Sequence, residues 1–209
     1  MEGAPRRPLV IALVGMPGGG KSTVGRLLAR QLNAPFIDSD TEIERRLGGE
    51  SIKDYFAREG EASFRDLESQ VISELLDRGR QGEEMILATG GGAVLRDINR
   101  DRLKEHSTVV YLRSSPDELF RRLRHDTQRP LLQVANPLAK LRELYAQRDP
   151  LYRRCAHFVL ESSRPSVHGL ANMILMQLEL AGLIDPARVA ATVGATEAPY
   201  TPGHDRSAS

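Results

Sequence analysis

Gly15-Met16-Pro17-Gly18-Gly19-Gly20-Lys21-Ser22 fits the pattern G-x-x-x-x-G-K-[ST], with Thr23 directly after it. Residues of these types at this spacing suit one chemistry. The glycines let the backbone wrap so that its N–H groups converge on an anion, and a helix beginning at the lysine adds partial positive charge at the same point. The Lys21 ammonium can then reach β- and γ-phosphates, while the Ser22 hydroxyl can ligate Mg²⁺. A bare strand-to-helix turn would need neither Lys nor Ser in register after the last glycine. Gly18, Gly19, Gly20, Lys21, Ser22 and Thr23 are therefore read as a cradle for nucleotide phosphates, which leaves the reaction open.

Asp38-Ser39-Asp40 places two carboxylates at i and i+2, on one side of an extended segment. Like charges this close need cations or hydroxyl donors. Mg²⁺ beside one and a polyhydroxy substrate beside the other would supply both. The same residues also fit a plainer use, with Asp40 capping a helix that starts at Thr41. Arg65 can pair with Glu68 at i,i+3 on a solvated helix face, and Arg148 can cap a helix C-terminus. Each is also a guanidinium fork that matches a carboxylate bidentately. Gly90-Gly91-Gly92 ends an apolar run, either as a tight turn or as backbone that a ligand can approach closely. No Asp follows Met85-Ile86-Leu87-Ala88, where many P-loop enzymes carry one, so Mg²⁺ would rely on Ser22, Asp38, phosphates and water. Cys155, the sole cysteine, excludes an intrachain disulfide and a Cys-based metal site, and its flanking residues read as structural.

The elements that must hold these residues follow from periodicity. Leu9–Val14 is a continuous apolar, β-branched run, the mark of a strand buried on both faces. Lys21–Leu32 carries Val24, Leu27, Leu28 and Leu32 at helical spacing. Further strands are expected over Pro35–Asp38, Met85–Ala88, Thr108–Leu112 and His157–Leu160. Helices are expected over Thr41–Leu47 and Ser51–Glu59, then through Phe64, Leu67, Val71, Ile72, Leu75 and Leu76. Others are expected over Asp97–Glu105, Pro116–Arg124, Asn136–Gln147 and Pro165–Ala181. Strands alternating with helices predict a three-layer α/β/α fold around a five-stranded parallel sheet. Residues 1–184 are expected to form one domain, with a mobile polar loop over about 125–136 and a disordered tail over 185–209. A net charge of +1 gives no global field for nucleic acid or an anionic membrane. The Pro8–Val14 run is far short of the ~20 residues of a membrane span. With no apolar leader after Met1–Arg7, a cytoplasmic location is expected.

From about Leu9 to Ala181 the chain resembles the shikimate kinase family, small P-loop kinases of the nucleoside-monophosphate-kinase type. The resemblance is carried by Gly15–Ser22, Phe36-Ile-Asp-Ser-Asp40, Glu61-Ala-Ser-Phe-Arg65, Ala88-Thr-Gly-Gly-Gly-Ala93, Arg129-Pro-Leu-Leu132 and Arg148-Asp-Pro-Leu-Tyr-Arg153. It implies ATP- and Mg²⁺-dependent phosphorylation of the shikimate 3-hydroxyl, in aromatic amino acid (chorismate) biosynthesis. It further implies that Asp40 orients and activates the acceptor hydroxyl and that Asp38 lies near Mg²⁺ through water. Arg65, Arg148 and Gly91 would bind shikimate. Lys21, with Arg129 from a mobile lid, would stabilise the transferring phosphoryl group. Arg122 and Arg164 would contact adenine, and the enzyme would be a monomer whose partners are small molecules. Gly19 stands where the family often has Ser or Ala. Gluconate or a nucleoside monophosphate as acceptor, and a non-catalytic ligand sensor, are the competing readings.

Overall fold

The computed structural model describes residues 8–124, 134–163 and 166–189. Five parallel strands, β1 (Val10–Val14), β2 (Phe36–Asp38), β3 (Met85–Ala88), β4 (Thr108–Arg113) and β5 (Phe158–Glu161), lie in the spatial order β2-β3-β1-β4-β5. Helices α1 (Lys21–Leu32), α2 (Ser39–Arg46), α3 (Ile52–Arg80), α4 (Asp97–His106), α5 (Pro116–Leu123), α6 (Pro137–Cys155) and α7 (Val167–Leu180) connect and cover them. The expected α/β/α fold with a five-stranded parallel sheet is the one observed.

The continuous apolar run of β1 is explained by its neighbours. Val10, Ala12 and Val14 point into a core shared with α3, α4 and α6, through residues such as Ile72, Leu103 and Leu144. Ile11 and Leu13 point into a second core shared with α1 and α7, through residues such as Leu28 and Ile174. Period-two alternation thus serves two buried faces, so no polar residue is tolerated on either.

Several boundaries differ from the sequence expectation, each for a physical reason. Helix α2 starts at Ser39, before Thr41, because Asp38 is its N-cap: Asp38 Oδ1 accepts from the Asp40 N–H at 3.0 Å. The two helices expected around Gly60 meet there, at φ 81°, ψ 174°, without an intervening loop. Ser51 caps the first of them, its hydroxyl accepting from the Asp54 N–H at 3.1 Å. Strand β5 begins at Phe158, one residue late, since His157 uses its own ring to bond Val109.

Helix α6 departs most from expectation, running through Pro150 to Cys155 instead of stopping at Gln147. Burial of Tyr152 and Cys155 outweighs the one backbone bond a proline removes. Within the expected loop at 125–136, residues 125–133, and with them Arg129, lie outside the described residues, as does Arg164. Asn136 caps α6, accepting from the Ala139 N–H at 3.0 Å.

Beyond α7 the chain is described as far as Val189. Arg188 donates to the Leu32 carbonyl at 2.8 Å and pairs with Glu84 at 2.7 Å, so the segment just past 184 lies against α1 and the start of β3. Among the described residues, no helix is long and apolar enough to cross a membrane.

Candidate active site

In a parallel sheet, ligands bind in the crevice outside the C-terminal ends of the strands. Here β1, β2 and β3 all end on one cavity of about 350 Å³. It is lined by Pro17, Gly18, Gly20, Lys21, Ser22, Thr23, Asp38, Asp40, Thr89 and Gly91. A larger surface hollow beside Arg26, Arg30 and Phe36 lies on α1 and the start of β2, away from these ends.

The phosphate cradle is formed by the turn from β1 into α1. Gly20 occupies the left-handed region as the N-cap of α1 (φ 86°), a conformation that costs a residue with a Cβ about 1–2 kcal/mol. Lys21 is buried, and its Nζ donates to the Gly15 and Met16 carbonyls at 3.0 Å each. The ammonium is therefore folded back over the turn it serves. Ser22 Oγ donates to Asp38 Oδ2 at 2.6 Å. Sixteen residues apart in sequence, these two hard oxygen ligands adjoin because β2 ends beside the start of α1.

That pair fits Mg²⁺, which takes one or two protein oxygens and fills its octahedron with phosphate and water. Among the described residues, no group of three or more His, Cys, Asp or Glu forms a protein-only metal cage.

The two carboxylates of the Asp38–Asp40 pair have different environments. They do not project together from an extended strand, because the helix begins between them. Asp38 is the cap and the partner of Ser22, whereas Asp40 turns in from the first turn of α2 to the edge of Gly90. A Cβ on Gly90 would lie 2.6 Å from Asp40 Oδ1 and 3.1 Å from Glu68 Oε1. Burial, followed by the nearby Asp38 and Glu68 carboxylates, pushes the Asp40 carboxyl up to about 6; Lys21 offsets part of this. A carboxylate poised near neutrality is suited to accept a proton from an acceptor hydroxyl.

The Gly90–Gly92 turn organises the remaining residues. Gly91 packs on Pro17 of the phosphate loop, so a side chain there would collide with the proline ring. Its carbonyl accepts from Tyr152 Oη at 2.5 Å and Arg148 Nη1 at 3.3 Å. A Cβ on Gly92 would run into the Arg65 guanidinium. Arg65 donates through Nη1 to Glu68 Oε2 at 2.6 Å, and through Nε to Glu61 at 3.4 Å.

The i,i+3 pair between Arg65 and Glu68 is thus present, but not on a solvated face: Glu68 is 1% exposed. Burial raises the Glu68 carboxyl, and the Arg65 charge opposes that rise. Arg148 is not a helix C-cap either, since α6 continues past it. Among the described residues its Nε is buried with no hydrogen-bond partner. A buried guanidinium nitrogen left open costs free energy unless a ligand completes it.

Arg122 on α5 is placed differently. Its Nη2 donates to the Ser162 carbonyl at 2.7 Å and its Nη1 to Ser114 Oγ at 3.4 Å, tying α5 to the ends of β4 and β5. It is anchored there by these bonds while remaining exposed to solvent. Glu68 and Tyr152 belong to the constellation although sequence reasoning gave neither a site role. The signal for Glu68 was its spacing from Arg65, which reads as an ordinary surface pair until burial is known. Tyr152 lies in the Arg148–Arg153 stretch that carries the resemblance, but its contact with Gly91, 61 residues away, has no signal in spacing.

Comparison with known proteins agrees with this geometry. A family model described as shikimate kinase matches residues 17–179. The shikimate kinase of Paracidovorax citrulli is 58% identical over 180 residues, covering 86% of this chain and 97% of that one. The shikimate kinase of Burkholderia pseudomallei is 57% identical over 174 residues, covering 83% and 92%. Among solved structures, the shikimate kinase from Acinetobacter baumannii in complex with shikimate superposes with a TM-score of 0.77 at 44% identity. It covers 86% of this chain and 97% of that one. With the cradle and the paired carboxylates lining one cavity, both arginines set against the adjoining Gly91–Gly92 turn, and these relatives, the chain belongs to the shikimate kinase family.

Proposed function

We propose that the protein transfers the γ-phosphoryl group of ATP to the 3-hydroxyl of shikimate, giving shikimate 3-phosphate and ADP. The observation that carries this reading is the meeting, around Gly90–Gly92, of the phosphate cradle with Asp40 on one side and Arg65 and Arg148 on the other. Arg65 and Arg148 receive the substrate carboxylate, with the open Nε of Arg148 available to it. Asp40 accepts hydrogen bonds from the ring hydroxyls and takes the proton of the attacking one. The acceptor oxygen forms its bond to the γ-phosphorus as the bond to the β-phosphate oxygen breaks, and ADP leaves.

Phosphoryl transfer asks little covalent chemistry of the protein, so positioning and charge neutralisation dominate. Gly18, Gly19, Gly20 and Thr23 hold the phosphates, and Lys21 swings from the Gly15 and Met16 carbonyls to the β- and γ-phosphates. Ser22 directly, and Asp38 through water, would hold Mg²⁺, which neutralises phosphate charge when bound. Arg129, Arg122 and Arg164 take the lid and adenine roles that the family resemblance implies. A monomer in the cytoplasm is the proposed working state.

The relatives at 57–58% identity are shikimate kinases, so gluconate as acceptor and a sensor without turnover are not favoured. The test is a coupled ADP-release assay with Mg²⁺-ATP and shikimate, gluconate or nucleoside monophosphates. Release that depends on shikimate and collapses in Asp40→Asn supports the proposal. ATP binding without shikimate turnover would discard it.

A further inference from the structure

Helix α6 presents two adjoining stripes to the protein. Arg148 and Tyr152, one turn apart, face the Gly91 carbonyl. The neighbouring stripe carries Tyr145, Asp149 and Arg153 at i, i+4 spacing. Asp149 gathers donors from two elements there. Its Oδ1 accepts from Tyr111 Oη at 2.8 Å and Arg113 Nε at 3.2 Å, both on β4. Its Oδ2 accepts from Arg153 Nε at 2.8 Å. Arg113 also pairs with Glu161 of β5 at 2.6 Å and stacks over the Tyr145 ring at 5.8 Å. With Asp149 and Glu161 set against Arg113 and Arg153, the cluster is charge-balanced.

The cluster's position in the helix is what matters. Pro150 follows Asp149 and has no N–H, so α6 lacks one bond of its backbone ladder at the turn that carries Arg148. Side chains bridge this turn on both sides. Asp149 ties it to β4, and the buried Tyr111 and Tyr152 rings pack at 4.9 Å beside it.

We propose that Asp149 is a positioning residue for the transfer reaction. By clamping α6 to β4 beside the Pro150 interruption, it sets the rotation and height of the turn that aims Arg148 at the acceptor's carboxylate. The inference rests on the reading that Arg148 binds that carboxylate. Burial raises the Asp149 carboxyl, but the bonds from Arg153 and Tyr111 bring it below the ordinary range, so the clamp stays ionised.

The experiment is steady-state kinetics of ADP release for Arg148→Ala, Asp149→Ala and the double variant, with Asp149→Asn and Tyr111→Phe alongside. Arg148→Ala raises the acceptor KM. Asp149→Ala is expected to raise the acceptor KM about 10-fold and to leave the ATP KM within about twofold, since a displaced Arg148 affects one substrate only. In the double variant the two losses should not multiply, because Asp149 acts through Arg148. Should Asp149→Ala fail to fold, Asp149→Asn and Tyr111→Phe carry the same comparison with the shape of the cluster kept. The inference is overturned if Arg148→Ala raises the acceptor KM but the Asp149 variants do not, if both KM values rise together, or if the losses multiply. An unchanged acceptor KM in Arg148→Ala would instead overturn the reading of the site itself, and the inference with it.

Discussion

Replacing Asp40 by Asn should abolish turnover and yet make the protein more stable. The Asp40 carboxyl stands at about 6 against an ordinary 3.8, first because it is buried and next because Asp38 and Glu68 repel its charge. The folded protein thus holds this proton more tightly than the unfolded chain. Acid favours folding through the group, and that contribution is complete below about pH 3.8 and lost as pH rises through about 6. The gap corresponds to about 3 kcal/mol of strain carried by the ionised carboxylate at neutral pH.

Asn keeps the size and stays buried, so it recovers part of that gap, about 1–3 kcal/mol. For a domain of this length that is about 2–10 °C in Tm. The assay is thermal unfolding of wild type and Asp40→Asn from pH 4 to 8, with chelator and without nucleotide, because a cation beside Asp38 would relieve the same repulsion. The advantage of the variant should be greatest above pH 7 and should shrink towards pH 4. An Asp40→Asn protein no more stable than wild type at pH 7.5, or an advantage independent of pH, would refute the argument.

Other expectations follow from the same geometry. If ionised Asp40 is needed for turnover, kcat/KM for the acceptor should fall about 10-fold per pH unit below about pH 6, whereas a carboxylate at 3.8 would give a flat profile to pH 5. Arg148→Ala should weaken the acceptor KM by about 10- to 100-fold, as for a lost hydrogen bond to a charged group, with the ATP KM nearly unchanged in the same kinetic runs. Gly92→Ala should fold, since Gly92 has an ordinary φ of −94°, but its methyl would displace the Arg65 guanidinium. An acceptor KM raised about 10-fold beside an unaltered circular dichroism spectrum is the expected result. His157 Nδ1 accepts from the Val109 N–H at 2.9 Å, and burial, then Lys104, lowers its proton affinity. The unfolded chain therefore takes up that proton first, so stability should drop as pH falls below about 6.5 and the drop should be smaller in His157→Gln, measured by urea titration.

What the sequence determined by itself is what short-range physics encodes. The cradle at Gly15–Ser22 is contiguous, so spacing alone specifies its shape. The strand runs and the period of α1 report buried faces directly, because side chains alternate at two residues in a strand and recur at three to four in a helix. The capping by Ser51 joins residues three apart, a range local sequence encodes. The roles of Asp40, Arg65 and Arg148 were ambiguous on spacing alone, and only the family resemblance pointed to ligand binding over surface pairing.

Tertiary structure decided everything that depends on which elements meet. Burial to 1% turned the Glu68 partner of Arg65 from a surface residue into a buried anchor beside Gly90. Packing of Tyr152 and Cys155 carried α6 through Pro150, where local rules end a helix. The Asp38 contact with Ser22, the Gly91 carbonyl shared by Arg148 and Tyr152, and the Asp149 clamp on β4 join residues 16 to 61 positions apart. No periodicity reaches that far. Such contacts exist because the parallel order β2-β3-β1 brings three strand ends to one crevice, and that order is a property of the packed sheet.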